Sequence, residues 1–130
     1  MVDVSRWHDE ALGLLRIVAG FVFWQHGAQK LFGWFGGQPV EAMVSLMGLA
    51  GVLEFVGGLL IIIGLFTRPV AFILAGEMAV AYFTAHLPRG FWTVNNNGEP
   101  AVLLCFIFLL LVAAGAGAFS VDSLRRKVIE

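Results

Sequence analysis

Residues 42–87 read AMVSLMGLAGVLEFVGGLLIIIGLFTRPVAFILAGEMAVAYFTAHL. The stretch contains two apolar runs, each close to the roughly 20 residues needed to cross a bilayer, parted only by Thr67-Arg68-Pro69. The proline breaks the helix at the junction, and so short a connection brings the two runs back to back. An antiparallel helical hairpin with spans at about 42–66 and 69–87 is therefore predicted. Outward from it, two more apolar runs occupy about 11–32 and 101–119. Their separators carry breakers: Gly33, Gly36, Gly37 and Pro39 on one side, and Pro88-Arg89-Gly90 through Asn95-Asn96-Asn97-Gly98-Glu99-Pro100 on the other. The expected architecture is all-α, an integral membrane four-helix bundle forming a single domain over residues 1–130.

Composition agrees with that architecture and excludes others. Hydrophobic residues make up 59% of the chain and charged residues 13%, with a mean hydropathy of +0.87. A soluble domain usually has about a quarter of its residues charged, so lipid is the expected solvent and no length remains for a soluble catalytic domain. A net charge of -1 offers no footprint for nucleic acid. The single cysteine, Cys105, lies inside an apolar run, where it reads as packing and excludes both an internal disulfide and Cys-pair exchange chemistry. The polar opening, Met1 to Glu10, is followed by no small-residue cleavage site, so the first apolar run is expected to be retained.

Orientation follows from the cations flanking the spans. Arg6, Arg68, Arg125, Arg126 and Lys127 fall on one side, Lys30 and Arg89 on the other, which predicts cytoplasmic termini. Trp34, Phe35, Phe91 and Trp92 then belong to the opposite interface and Trp7 to the cytoplasmic one. Small residues for close helix contact stand at Gly51 and Gly58, at Ala71, Ala75 and Ala79, and at Gly115 and Gly117 near the end of the fourth run.

The residues that a bilayer should reject carry the functional information. Arg16, Gln25, His26, Gln29 and Lys30 lie in the first run, Glu54 in the second and Glu77 in the third, with His86 closing the third. A charged group at mid-helix costs about 2.5–3.5 kcal/mol on insertion scales, so it faces protein or a water-filled cavity. At about 100° per residue, Arg16, Gly20, Phe23, Gly27 and Lys30 share one face, with His26 on its flank, and that face can meet the one bearing Glu54. The functional reading is a polar column holding a proton, a small ligand or a quinone-like headgroup. The plainer reading is polar glue, in which Arg16 and the glutamates pair to set helix registry. The histidines lack metal-ligand spacing, and His8 reads as a solvated interfacial residue.

Taken together, Arg16, His26-Gly27-x-x-Lys30-Leu31-Phe32-Gly33, Glu54-x-x-Gly57-Gly58-x-Leu60, Gly64-Leu65-x-Thr67-Arg68, His86-Leu87-Pro88-x-Gly90-Phe91 and Asn97-Gly98-Glu99 resemble the DoxX family of small bacterial membrane proteins. The resemblance covers about residues 12–122. It implies a four-helix bundle in the bacterial cytoplasmic (inner) membrane, and similarity to the small subunit of thiosulfate:quinone oxidoreductase. Some members are linked to complexes that handle oxidative and thiol stress. Arg16, His26, Lys30, Glu54 and His86 match the family's motif positions, whereas Glu77 is singled out by its burial in an apolar run alone.

The expected function is that of a membrane subunit in a quinone-linked oxidoreductase or oxidative-stress complex. Its ligand-pocket candidates are Arg16, His26, Lys30, Glu54, Glu77 and His86. The residues supply no electron carrier, which counts against catalysis by the chain alone; a quinone or a soluble redox partner protein would bring the redox chemistry. Two alternatives stand beside it: a proton or small-solute transporter using Glu54 and Glu77, and a scaffold for soluble enzymes using the basic tail. Four helices of this size bury little surface, which is compatible with a homodimer, although no motif specifies one.

Overall fold

The computed structural model describes residues 2–42 and 44–129; Met43, inside the second expected span, lies outside the described residues. Among the described residues the chain forms six α-helices: α1 (His8–Phe32), α2 (Leu46–Ile63), α3 (Thr67–Ala81), α4 (Thr93–Asn96), α5 (Glu99–Ala114) and α6 (Val121–Ile129). A wide helical turn over Tyr82–His86 and a tight one over Leu87–Arg89 prolong α3.

Local chemistry sets the ends of the long helices. Gly33 closes α1 in the left-handed region (φ 69°), its N–H donating to the Gln29 carbonyl. Ser45 starts α2 by accepting from the Gly48 N–H at 3.0 Å. Gly64 ends it at φ 70°, with Leu65 N–H bonded to Leu60 O and Gly64 N–H to Ile61 O, the paired bonds of a Schellman cap. The expected hairpin is α2 and α3, but its connection is Gly64, Leu65 and Phe66: Thr67, Arg68 and Pro69, expected to part the two helices, form the first turn of α3, where the N–H that proline lacks has no intrahelical partner to lose.

The packing is that of two helix pairs. α1 lies along α2, α3 lies along α5, and α2 touches α3. Glycine permits the first pairing. A Cβ on Gly58 would come within 2.8 Å of the Trp24 Cα, and one on Gly27 would run into the Phe55 backbone. Gly20 and Gly51 sit seven residues before Gly27 and Gly58, so one stripe of each helix meets the other at backbone distance. Ala71, Leu74 and Ala75 of α3 bury against Leu104, Phe108 and Leu111 of α5, and Phe23 meets Phe108 edge to face at 5.0 Å to tie the pairs together.

Much of the outside is apolar. Phe21, Val56, Phe72, Val80, Phe106 and Leu110 are all exposed. Contiguous apolar surface on that scale is a liability in water and the proper match to lipid chains. Ser5–Phe32, Leu46–Ile63 and Thr67–Arg89 are each long and apolar enough to cross a membrane. α5 is apolar but has 16 residues, about 24 Å at 1.5 Å per residue against a hydrocarbon core of about 30 Å.

The fourth run departs from expectation. Hydropathy predicts a span over 101–119, but α5 runs from Glu99 and stops at Ala114, because Gly115 (φ 82°) and Gly117 (φ 71°) turn the chain into the left-handed region. The turn folds back over the start of α1, where Ala118 N–H donates to the Asp9 carbonyl at 2.9 Å. Gly117 does serve close packing there, against the Gly13 nitrogen, but outside any helix. A short terminal helix, α6, follows where only a basic tail was expected.

Candidate functional site

Lys30 and Glu54 form the centre of the site. The face of α1 that carries Lys30 is held against α2 by the glycine stripe, and the Lys30 Nζ donates to Glu54 Oε2 at 2.6 Å. Glu54 is buried, whereas the Lys30 side chain keeps 28% of its surface. From α3, Glu77 directs its carboxyl at that of Glu54 and within electrostatic reach of Lys30. Oε1 of Glu54 and Oε1 of Glu77 are both buried, and no N–H or hydroxyl among the described residues donates to them. Buried acceptors are nearly always satisfied, and two facing carboxyls can satisfy each other by holding a proton between them or by receiving a donor from a ligand.

Two cavities meet at this pair. One, of about 270 Å³, lies between α1, α3 and α5 and is lined by His26, Lys30, Glu54 and His86 with Phe23 and Leu104. The other, of about 480 Å³, is a cleft between α2 and α3 with Lys30, Glu54, Glu77 and His86 at its polar end. Leu49, Ile73 and Val80 wall the cleft and are exposed on the lipid-facing surface. The cleft therefore opens sideways toward lipid and ends on charge.

His86 reaches the cavities because the helix widens just before it. The Tyr82–His86 turn rotates the imidazole toward α4, and its Nδ1 lies 3.1 Å from the Asn96 carbonyl. The Asn96 side chain is fully buried and fastens the loop: Nδ2 donates to Gly90 O at 2.9 Å and to the Tyr82 hydroxyl at 3.3 Å, while Oδ1 accepts from Gly98 N–H at 2.8 Å. The Tyr82 ring stacks beside the imidazole at 6.4 Å. A run of three asparagines precedes Gly98 in sequence, yet nothing in the run singles out the second.

Arg16 is elsewhere. It is fully buried, and its guanidinium donates to Ile61 O (2.9 Å), Ile62 O (3.4 Å), Ala118 O (3.0 Å), Phe119 O (2.6 Å) and Ala116 O. A guanidinium has five N–H donors, and all five are used on carbonyls at the end of α2 and in the turn before α6. The single polar column expected from Arg16 through His26 to Glu54 is thus two separate features, a carbonyl clamp at one end and an ionisable pocket at the other. The reason is distance along α1: Arg16 and Lys30 share a face but stand 14 residues apart, about 21 Å of helix.

Two more residues at the clamp end, Asp122 and Arg68, cap helices. The Asp122 carboxylate accepts from Phe66 N–H and Thr67 N–H, each at 2.9 Å, and so caps α3 from α6. Arg68 donates to Val112 O and Ala113 O at 3.0 and 2.8 Å, capping the end of α5. Only the acidic and basic types at helix ends hinted at this.

Residues 11–87 match the DoxX family model, a stretch holding Arg16, His26, Lys30, Glu54, Glu77 and His86. A Haemophilus influenzae protein without a functional name is 40% identical over 95% of this chain and 96% of its own length. Inner membrane protein YqjF of Escherichia coli is 33% identical over 95% of this chain and 98% of its own. A Bacillus subtilis protein named "Putative oxidoreductase CatD" is 28% identical over 84% and 82%. No solved structure matches the chain. The apolar exterior, the helices long enough to span a bilayer and these relatives together identify the chain as a membrane protein of the DoxX family.

Proposed function

We propose that this protein is a multi-pass subunit of a quinone-linked oxidoreductase or oxidative-stress complex in the bacterial cytoplasmic membrane, and that the Lys30–Glu54–Glu77 cleft takes the ligand's ring headgroup. α1, α2, α3 and α5 act as four crossing helices of one domain, with both termini cytoplasmic. The reading is carried by one observation: a cleft with exposed apolar walls ends on an ammonium and two facing carboxyls. That is the shape of an amphiphile, with a tail among lipid chains and a polar ring at the charged end. The oxidoreductase name of the Bacillus subtilis relative points the same way. Electrons would enter and leave through the ligand and a soluble redox partner, and this chain would bind, orient and shield the headgroup.

Native mass spectrometry of protein extracted with its own membrane lipids tests the reading. Wild type should retain a quinone that Glu54→Gln loses while remaining folded. A ligand-free wild type, or equal retention in both, would sink it. The carboxyl pair on adjacent helices also favours a second reading, proton or small-solute transport. Proteoliposome flux equal in wild type and Glu54→Gln, or absent in both, would remove that alternative.

A further inference from the structure

The hydrogen bond at His86 decides which of its ring nitrogens carries the proton. Nδ1 lies 3.1 Å from the Asn96 carbonyl. A carbonyl oxygen has no proton to give, so Nδ1 carries the hydrogen and donates. In the neutral ring Nε2 is then a bare acceptor. The imidazole lines both cavities, and Nε2 takes no hydrogen bond from the described residues. Asn96 cannot readily yield, because its own side chain is fully buried and bonded to Gly90, Tyr82 and Gly98. The tautomer is thus imposed by a rigid neighbour.

Lys30 is the one lysine or arginine among the described residues that line either cavity, and its ammonium is engaged with Glu54 Oε2. The Glu54 and Glu77 carboxyls face each other, so the donors at this end are directed at carboxyl oxygens, and none among the described residues is bonded to His86 Nε2.

We propose that His86 is a specificity-determining residue whose Nε2 accepts a hydrogen bond from a ligand hydroxyl, so that the site prefers the hydroquinone form of a headgroup to the quinone form. The inference rests on the headgroup reading of the cleft. A ring hydroxyl placed at Nε2 donates to it, whereas a ring carbonyl placed there sets two acceptors face to face and leaves both unpaired. No bond is made or broken and no electron moves; the preference is one of binding.

The test uses the full chain in lipid nanodiscs, held anaerobic at mildly alkaline pH, above the ordinary imidazole range. Durohydroquinone and duroquinone are the probes, and equilibrium dialysis gives the affinity of each. Wild type should bind durohydroquinone more tightly on the order of tenfold, the worth of one hydrogen bond. His86→Asn keeps an N–H near the Nδ1 position but lacks Nε2, so it should bind the two probes alike. Equal affinities in wild type would overturn the inference and leave the headgroup reading standing. If neither probe binds, both fall. Nitrogen-15 NMR of histidine-labelled wild type supplies an independent readout, with the His86 signals assigned by their loss in His86→Asn. Nδ1 should show a protonated, pyrrole-type shift and Nε2 a bare, pyridine-type one, and the reverse pattern would overturn the inference whatever the affinities.

Discussion

Asp122 holds Thr67 from across the fold: one carboxylate oxygen accepts the Thr67 N–H and the other that of Phe66, each at 2.9 Å. The start of α3 has no cap from its own flanking residue, since Phe66 stands there and its side chain has no acceptor. A residue 55 positions later in the chain supplies it. Asp122→Ala should cost about 1–2 kcal/mol, the usual worth of a lost helix cap. Asp122→Asn retains one acceptor and should lose about half of that. Thermal unfolding followed by circular dichroism in detergent would measure both, and an Asp122→Ala protein as stable as wild type would contradict the cap.

Arg16 should tolerate no replacement, even by lysine. Its five donors meet five carbonyls, and an ammonium offers three donors from one point in place of a planar fork. At least two carbonyls would be stranded in Arg16→Lys, at about 1–3 kcal/mol each. Fluorescence-detected size exclusion after graded heating should show Arg16→Lys nearly as unstable as Arg16→Ala. Because the clamp is remote from the cleft, whatever Arg16→Lys protein stays folded should bind durohydroquinone as wild type does; weakened binding would return Arg16 to the ligand site.

The glycine stripe gives a graded prediction. Gly27→Ala and Gly58→Ala place a methyl against backbone of the facing helix, which cannot move aside as a flexible side chain can. Each should cost about 1–3 kcal/mol. Gly76 has open space around its Cβ position, so Gly76→Ala should be neutral or stabilising by up to about 1 kcal/mol, the helix preference of alanine over glycine. Melting temperatures of the three variants in one detergent would rank them, and Gly27→Ala matching Gly76→Ala would refute the close approach of α1 to α2.

Lys30 and Glu54 should be coupled. Lys30→Met leaves the Glu54 carboxylate buried and uncompensated, at a cost of up to about 3 kcal/mol, reduced from the fully buried case by the partial exposure of Lys30. Glu54→Gln should cost less, because the Lys30 ammonium can turn toward solvent. The double variant should recover part of the Lys30→Met loss. A double-mutant cycle with purely additive effects would show that the ion pair is not formed in the membrane.

The polar face of α1 was legible because helical periodicity is a local property. Fourteen residues from Arg16 to Lys30 make four turns, and a face so charged within an apolar run must be turned inward. That Lys30 meets Glu54 follows once α1 lies along α2, and the glycines that let it lie there were visible as well. The clamp was not legible. Arg16 is satisfied by backbone carbonyls, and a carbonyl belongs to every residue, so no side-chain pattern announces Ala116, Ala118 or Phe119 as its partners. The end of α5 is not legible either, because hydropathy runs unbroken to Phe119, while the two glycines that stop the helix act through backbone torsion.

By itself, then, the sequence determined the solvent, the helices and the set of ionisable residues turned inward, since each depends on composition and on a period of 3.6 residues. Tertiary structure decided how that set divides. It sent Arg16 to the carbonyls at one end, brought Glu77 to Glu54 and Lys30 at the other, and chose Asn96 from three neighbouring asparagines to fix the His86 tautomer. Each of these is a contact between distant segments, formed only when the helices have packed and the backbone has placed its own acceptors.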